Sequence, residues 1–588
     1  MPPENPQQHY DKVAICSPQT FAQHSRTEPD TMTRRPGWVF SLSLIFLLAF
    51  VVLGVGWPTH LASGANHALN FTTAHFGWLY LFTTTGFLVF CVGLATSNYG
   101  QIRLGADGEN PEFSFATWLG MIFSAGMGVG LVFWGIAEPM SHYVDPPLGE
   151  AAPESPQAAS LAMSYSLFHW GFHQWANFAI VGLAIAYVRF RQQRPGLISE
   201  AFRSTMGDRV DGSAGHAINV LAVLSTVFGV ATTLGLGVIQ INSGLVSVGD
   251  MGFGTGQQLA ILGGIAIVFL LCALAPLESG VRYISDANMM LAAALLLFVF
   301  FAGPTDFITA AMTNAIGDYF GNVVGMSLVM TPYTGDDWVE RWTIFYWAWG
   351  LSWAPFVGSF IARISRGRTI REFVVGVIGM PVLLSTLWFS TFGGSALYFE
   401  MFEGASLGEA VQTEMSSALF ATLEYLPGAG IISILMLILI TLFVITSANS
   451  ATFVLGMFTS KGVLTPTRLS RVTWGVVQVL VAGVLLMSGG LEALQTISIV
   501  AAFPFMILMI FMAAALLKSL RSEYRLKELH QAILMERIQR FVEEHDHVAG
   551  TPPAPPHEPP PAILGEPEPE YRDESGSEEP APGGSPPT

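Results

Sequence analysis

SAGMGVGLVFWGIAEP, residues 124–139, sets Gly126, Gly128 and Gly130 inside an apolar run long enough to belong to a membrane helix. Glycine in a span serves either close packing of helices through small residues or local unwinding beside a cavity. Only the second permits irregular backbone at membrane depth. Residues two apart on an α-helix point about 200° apart, so the three glycines cannot share one packing face. The spacing predicts unwound backbone beside a binding site, as in the discontinuous helices of secondary transporters.

Outward from that stretch, the chain repeats apolar runs of about 20 residues, the length that crosses a hydrocarbon core. It has 588 residues, 51% hydrophobic and only 12% charged, which excludes an ordinary soluble domain. The runs read as an all-α polytopic membrane protein with twelve transmembrane helices. They fall at 38–57, 76–97, 113–137, 160–188, 217–246, 256–276, 284–302, 340–363, 371–395, 428–458, 472–489 and 494–518. The first run lacks a small-residue cleavage site and is too long for a signal segment. Segments 305–326 and 406–425 are amphipathic and are expected to lie along the membrane surface. Lys and Arg collect before the first span and after even-numbered ones: Arg34 and Arg35, Arg103, residues 189–194, Arg203 and Arg209, Arg282, residues 363–371, residues 461–471, and Lys518 onward. Basic residues mark cytoplasmic loops, so both termini are expected in the cytoplasm.

The expected organisation is a polar cytoplasmic N-terminus (1–37), a transporter domain (38–518), a cytoplasmic amphipathic helix (519–542) and a disordered, acidic, Pro-rich tail (543–588). The net charge of −17 belongs largely to that tail, since residues 541–588 hold eleven Asp or Glu against one Arg. Its composition identifies no partner. Five basic residues on 519–542 give that helix a lipid-binding character. Cys16, Cys91 and Cys272 form neither a disulfide framework nor a CxxC motif.

A second interruption is expected at Pro355, because proline removes an intrahelical hydrogen bond. The Gly-broken third span and the Pro-broken eighth span would each open a set of five spans, about 113–302 and 340–518, which is the pattern of an inverted repeat around a midplane site. On the eighth span Trp342, Tyr346, Trp349 and Trp353 form one helical stripe. Trp338 and Trp342 suit an interfacial belt. Trp349 and Trp353 lie deeper, where aromatic faces in a cavity without acidic residues suit an onium group held by cation–π attraction.

GMGVGLVFWGIAEP, FHWGFHQW (168–175), VFGVATTLGLGVIQIN (227–242), FYWAWGLSWAPFVGSFIARISRGRTIREF (345–373) and ITSANSAT (445–452) together resemble the betaine/carnitine/choline transporter family, over about residues 38–518. The resemblance implies a LeuT-like core of two inverted five-helix repeats preceded by two extra helices, assembled as a homotrimer and performing secondary transport. It puts an aromatic substrate box on Trp170, Trp349 and Trp353, with Gly126, Met127, Gly128 and Gly130 supplying backbone. Gly350 stands where a second tryptophan usually adjoins the first, and Phe178 where a tyrosine is expected. It implies a sodium site at Thr446 and Ser447 with carbonyls of Ser124, Met127 and Val444. A second sodium site at Thr226 and Phe356 would be degraded, since Phe178 and Val230 replace hydroxyl residues. Asn449 replaces a common aspartate near the first site. Residues 217–246 lack the arginine that fills the sodium site in sodium-independent exchangers.

The resulting expectation is a sodium symporter of the bacterial cytoplasmic membrane that takes up glycine betaine, choline or a related compatible solute. Na+ is the coupling ion, and no organic cofactor is called for. Small-molecule substrate and membrane lipid are the partners, nucleic acid is not, and the alternatives are a proton-coupled or an ectoine- or dimethylsulfoniopropionate-specific carrier of the same family or, ranked below these, a transport-dead osmosensor. Proton coupling is disfavoured because intramembrane carboxylates are essentially lacking: Glu138 ends the third span and Asp286 begins the seventh. His169 and His173 are four apart, a spacing able to ligate zinc, but no third ligand is evident, so hydrogen-bonded structural roles are expected. No nucleophile, paired carboxylates or metal cluster suggests an enzyme.

Overall fold

The computed structural model describes residues 37–126, 128–249, 251–274, 280–463 and 465–549. The expected N-terminal segment, but for Gly37, lies outside them, as does the tail beyond Ala549. The helices that organise the chain are α1 (Trp38–Gly56), α2 (Pro58–Thr96), α3 (Phe115–Gly126), α4 (Val129–Val144), α5 (Pro156–His169), α6 (Phe172–Ala186), α7 (Ser213–Val248), α8 (Thr255–Leu274), α9 (Gly280–Ala302), α10 (Thr305–Ser327), α11 (Phe345–Ile364), α12 (Ile370–Glu403), α13 (Ala429–Thr459) and α14 (Arg468–Ala549). The only extended pairing among the described residues is an isolated bridge between Arg103 and Thr369. Contacts divide the chain after Tyr524, and the second unit, from Arg525, is helical to Ala549 with Leu526, Leu529, Ile538 and Phe541 exposed.

Eight helices are long and apolar enough to cross a membrane among the described residues, the last containing both 472–489 and 494–518. Within it the chain turns at Gly489 and Gly490, the latter at φ 57° and ψ −126°, a conformation only glycine adopts readily. Expected spans 113–137, 160–188 and 340–363 are not among the eight. The first two are split into shorter helices, and the third dilutes its apolar content with Trp, Tyr, Ser and Pro. These three carry the candidate site.

Burial separates centre from rim. The apolar window of α7 is 89% buried within the protein, against 22% for α1, so α7 is the central post and α1 turns most of its apolar side chains outward. Segment 305–326 is one helix, α10, whereas 406–425 breaks into Leu407–Thr413, Met415–Ser417 and Ala418–Leu423. The arginines that mark the loop after α11 also hold it in place. Arg368 donates to the Phe113 carbonyl at 2.7 Å, Arg371 to the Ala95 carbonyl at 2.7 Å, and Arg366 pairs with Glu109 at 2.6 Å. Thr369 and Glu372 close a capping box at the start of α12.

Pro355 does not break its helix. The backbone stays helical from Phe345 to Ile364, with a π-helical turn at Glu340–Ile344 before it. The lost hydrogen bond is tolerated because α11 is clasped along its length by α6. That clasp depends on two facing glycines: a Cβ on Gly358 would stand 2.8 Å from the Val181 Cβ and 2.9 Å from the Gly182 nitrogen, and one on Gly182 would stand 3.2 Å from the Gly358 carbonyl oxygen. Gly358→Leu is expected to part these helices and destabilise the protein by about 1–3 kcal/mol, seen as a lowered thermal unfolding midpoint in detergent.

Candidate aromatic substrate site

α3 ends at Gly126 and α4 begins at Val129, with Gly128 fully extended between them (φ −159°, ψ −169°). The extended backbone of Gly128 between two helices agrees with the expected unwinding. Met127 lies outside the described residues. Gly130 is already helical, and its need for glycine is one of contact. A Cβ there would lie 2.4 Å from Cη2 of Trp349 and 2.9 Å from Cη2 of Trp170. Two indoles thus close on one bare Cα.

Trp170 is aimed by a second helix break, which sequence reading missed. It ends α5 with a non-helical backbone (φ −99°, ψ 6°), and α6 restarts at Phe172, whose N–H donates to the Tyr319 hydroxyl at 3.2 Å. The signal was the Trp-Gly pair inside FHWGFHQW. Trp170 and Trp349 meet edge-to-face, centroids 6.0 Å apart at 88°. Trp349 lies parallel to Phe345 at 5.9 Å, and Trp353 meets Trp349 at 6.3 Å and Phe356 at 5.5 Å. Phe389 of α12 flanks Trp170 at 5.6 Å. The indole Nε1 atoms of Trp349 and Trp353 are buried without a hydrogen-bond partner among the described residues.

Of the two departing positions, Gly350 lies on the α6–α11 interface and Phe178 on α6. A Cβ on Gly350 would stand 2.3 Å from Oε1 of Gln174, so Gln174 occupies the room a side chain at 350 would need. Phe178 rests edge-on against Trp175 at 5.4 Å, and that indole, which sequence analysis did not single out, is its sole ring partner among the described residues. Trp338 and Trp342 are not an interfacial belt. Both are buried, and both rings pack on His142, at 5.1 and 4.5 Å.

On α13, Thr446 donates to the Leu442 carbonyl at 2.8 Å, the ordinary back-bond of a helical threonine. Ser447 Oγ lies 3.9 Å from the point a Gly128 Cβ would occupy, which places a hydroxyl against the extended segment. Val444 is buried with its methyl against Gly237 of α7. Ser124 lies in the last turn of α3. Thr226 back-bonds to Ala222 at 2.8 Å on α7, and Val230 is buried on the same helix.

Glu138 does not end its helix, because α4 continues to Val144 and leaves the carboxylate completely buried. It accepts from Trp170 Nε1 at 2.9 Å and lies 2.6 Å from His169 Nδ1 and 3.5 Å from His142 Nε2. The box therefore has an acidic group bonded to one of its walls. His169 Nε2 lies 2.9 Å from Thr343 Oγ1, and His173 bonds to Ser327 at 2.9 Å. The two histidines are hydrogen-bonded as expected, but to separate networks, and a third ligand-type group does stand beside His169.

This helix-broken core with its aromatic cluster coincides with a match over residues 38–525 to the family described as BCCT, betaine/carnitine/choline family transporter. The chain belongs to that family. It is a multi-pass membrane transporter and not an enzyme. It is 46% identical to the ectoine/hydroxyectoine transporter of Virgibacillus pantothenticus over 82% of this chain and 96% of that one. It is 48% identical to the glycine betaine transporter OpuD of Bacillus subtilis over 83% and 95%. A probable glycine betaine transporter of Desulfitobacterium hafniense is 42% identical over 84% and 99%. In the transporter, Gly130→Ala is expected to push Trp349 or Trp170 aside, costing about 1–3 kcal/mol of stability and shifting intrinsic tryptophan fluorescence.

Proposed function

We propose that this transporter is a sodium symporter that accumulates a quaternary-ammonium or related compatible solute, held by Trp170, Trp349 and Trp353. The observation that carries the reading is the convergence of Trp170 and Trp349 on Gly130 with Trp353 edge-on behind. An onium group is attracted to indole faces by the ring quadrupole, by about 0.5–2 kcal/mol per face depending on desolvation. The Trp170 N–H donates to a carboxylate, which adds electron density to that ring and strengthens the attraction. Relatives named for glycine betaine and for ectoine support a compatible solute as substrate. Both are zwitterions whose cationic end fits an aromatic wall.

Coupling would use the oxygen atoms around the α3–α4 break: the hydroxyls of Thr446 and Ser447 with carbonyls of Ser124, Met127 and Val444. A dehydrated sodium ion takes its oxygens from hydroxyls and unwound backbone, and the reach of Ser447 to Gly128 supports this set. Alternating access would rock one helix group against the other around the box. A homotrimer in the bacterial cytoplasmic membrane, both termini cytoplasmic, completes the reading. It rests on the family resemblance and on the distribution of Lys and Arg.

The deciding experiment is uptake of labelled glycine betaine into proteoliposomes with and without an inward sodium gradient, with choline, ectoine and dimethylsulfoniopropionate as competitors. Sodium-dependent uptake blocked by one of these solutes is expected; uptake driven by a proton gradient without sodium would overturn the coupling. Trp353→Ala should raise the KM about tenfold, the equivalent of ~1.4 kcal/mol of cation–π energy. Thr446→Ala should raise the sodium concentration for half-maximal uptake several-fold, and normal uptake at low sodium would remove that residue from the site.

A further inference from the structure

Glu138 and His142 are one turn apart on α4, and His169 closes α5 against them. One ligand-type atom from each lies within 4.8 Å of the others, and all three side chains are fully buried. His142 decides how to read the cluster. Neither of its ring nitrogens has a hydrogen-bond partner among the described residues, although an unsatisfied buried polar group costs about 1–3 kcal/mol. Its Nε2 faces Glu138 Oε1 across 3.5 Å, too long for a hydrogen bond and close to the spacing of two donors on one small cation.

We propose that Glu138 Oε1, His142 Nε2 and His169 Nδ1 form a binding site for a divalent transition metal, with Zn2+ the best match. Zinc takes His nitrogen at about 2.0–2.1 Å and carboxylate oxygen at about 2.0–2.2 Å in tetrahedral geometry, which spaces ligand atoms by roughly 3.4 Å. The Glu138–His142 pair already has that spacing. The Glu138–His169 pair, at 2.6 Å, must open by less than about 1 Å, exchanging its shared proton for the metal, since ligands bind deprotonated. A water completes the fourth position.

The outer partners of two ligands are already in place. Metal-bound histidines bond through their second nitrogen to a fixed neighbour, and His169 Nε2 meets Thr343 Oγ1 at 2.9 Å. Glu138 Oε2 accepts from Trp170 Nε1. Trp342 and Trp338 hold the plane of the His142 ring, and Tyr346 stacks on His169 at 4.9 Å and 29°. His142 stands less than a turn from the end of α4, next to Asp145, which pairs with Arg341 at 3.6 Å; Arg341 is further neutralised by Asp337 at 2.8 Å. Two imidazoles and one carboxylate select Zn2+ or Cu2+ over Mg2+ and Ca2+. A bound ion would tie α4 to the end of α5, beside Trp170, and slow any rearrangement of that wall.

The test uses the full-length, untagged protein in detergent, titrated with Co2+ by visible absorption and with Zn2+ by calorimetry. One ion per chain, the intense d–d absorption of tetrahedral cobalt, and no response to Mg2+ are expected. His142→Gln, which removes a ligand that makes no hydrogen bond, should weaken Zn2+ binding at least tenfold and abolish the cobalt spectrum, while uptake without zinc persists. In proteoliposomes Zn2+ should slow the parent protein, reversibly with a chelator, and not His142→Gln. Unchanged affinity in folded His142→Gln would overturn the site. So would a parent protein with no tetrahedral cobalt spectrum, a result that needs no variant. Metal binding is read independently of which solute is carried.

Discussion

Backbone that leaves the helix inside a bilayer must be covered by protein, because no water is there to satisfy it. The architecture around the site follows from that constraint. Two interruptions, at Gly128 and at Trp170–Gly171, are covered by other helices: α7 and α13 lie against the first, and α10, α11 and α12 pack on the second. The central helix α7 is almost wholly enclosed, and the helices with outward apolar faces stand around it. The breaks cost hydrogen bonds locally, and burial behind other helices makes them tolerable.

The two interruptions work as a pair. The first brings α4 in with Gly130 bare against two indoles, and the second ends α5 so that Trp170 projects toward them. Glu138 links them chemically, since one carboxylate reaches the indole of Trp170 and the imidazole of His169 from the opposing helix. The aromatic cluster thereby gains a buried carboxyl group at its back, hydrogen-bonded to the indole of Trp170. The indoles of the cluster and the side chains that orient them come from different helices, so a movement of either helix group alters the cluster.

Much of this was legible in the residues. The 20-residue apolar runs dictated an all-helical membrane chain, and the period-two glycines dictated a break within a few residues of where it falls. The stripe of Trp349 and Trp353 was fixed by helical spacing alone. Pro355 misled because proline removes one hydrogen bond, while its consequence depends on whether a neighbouring helix holds the turn; the Gly182–Gly358 contact with α6 does so. The break at Trp170 escaped because one glycine among aromatic residues is a weak local signal, and the stop is fixed by Tyr319 from α10.

By itself, then, the sequence determined what is periodic or additive: span length, helical faces, the side on which positive charge collects, and the backbone freedom of the glycines. Only the tertiary structure decided what depends on another helix. Gly130 is glycine because two indoles from α5 and α11 converge on it. Glu138 is a fully buried carboxyl group because α4 runs on to Val144 and α5 and α11 bury it. His142 has no hydrogen-bond partner among the described residues because Trp338 and Trp342, some two hundred residues away in the chain, enclose it. Contacts between distant segments leave no period in the sequence, and these contacts set the charge and shape of the site.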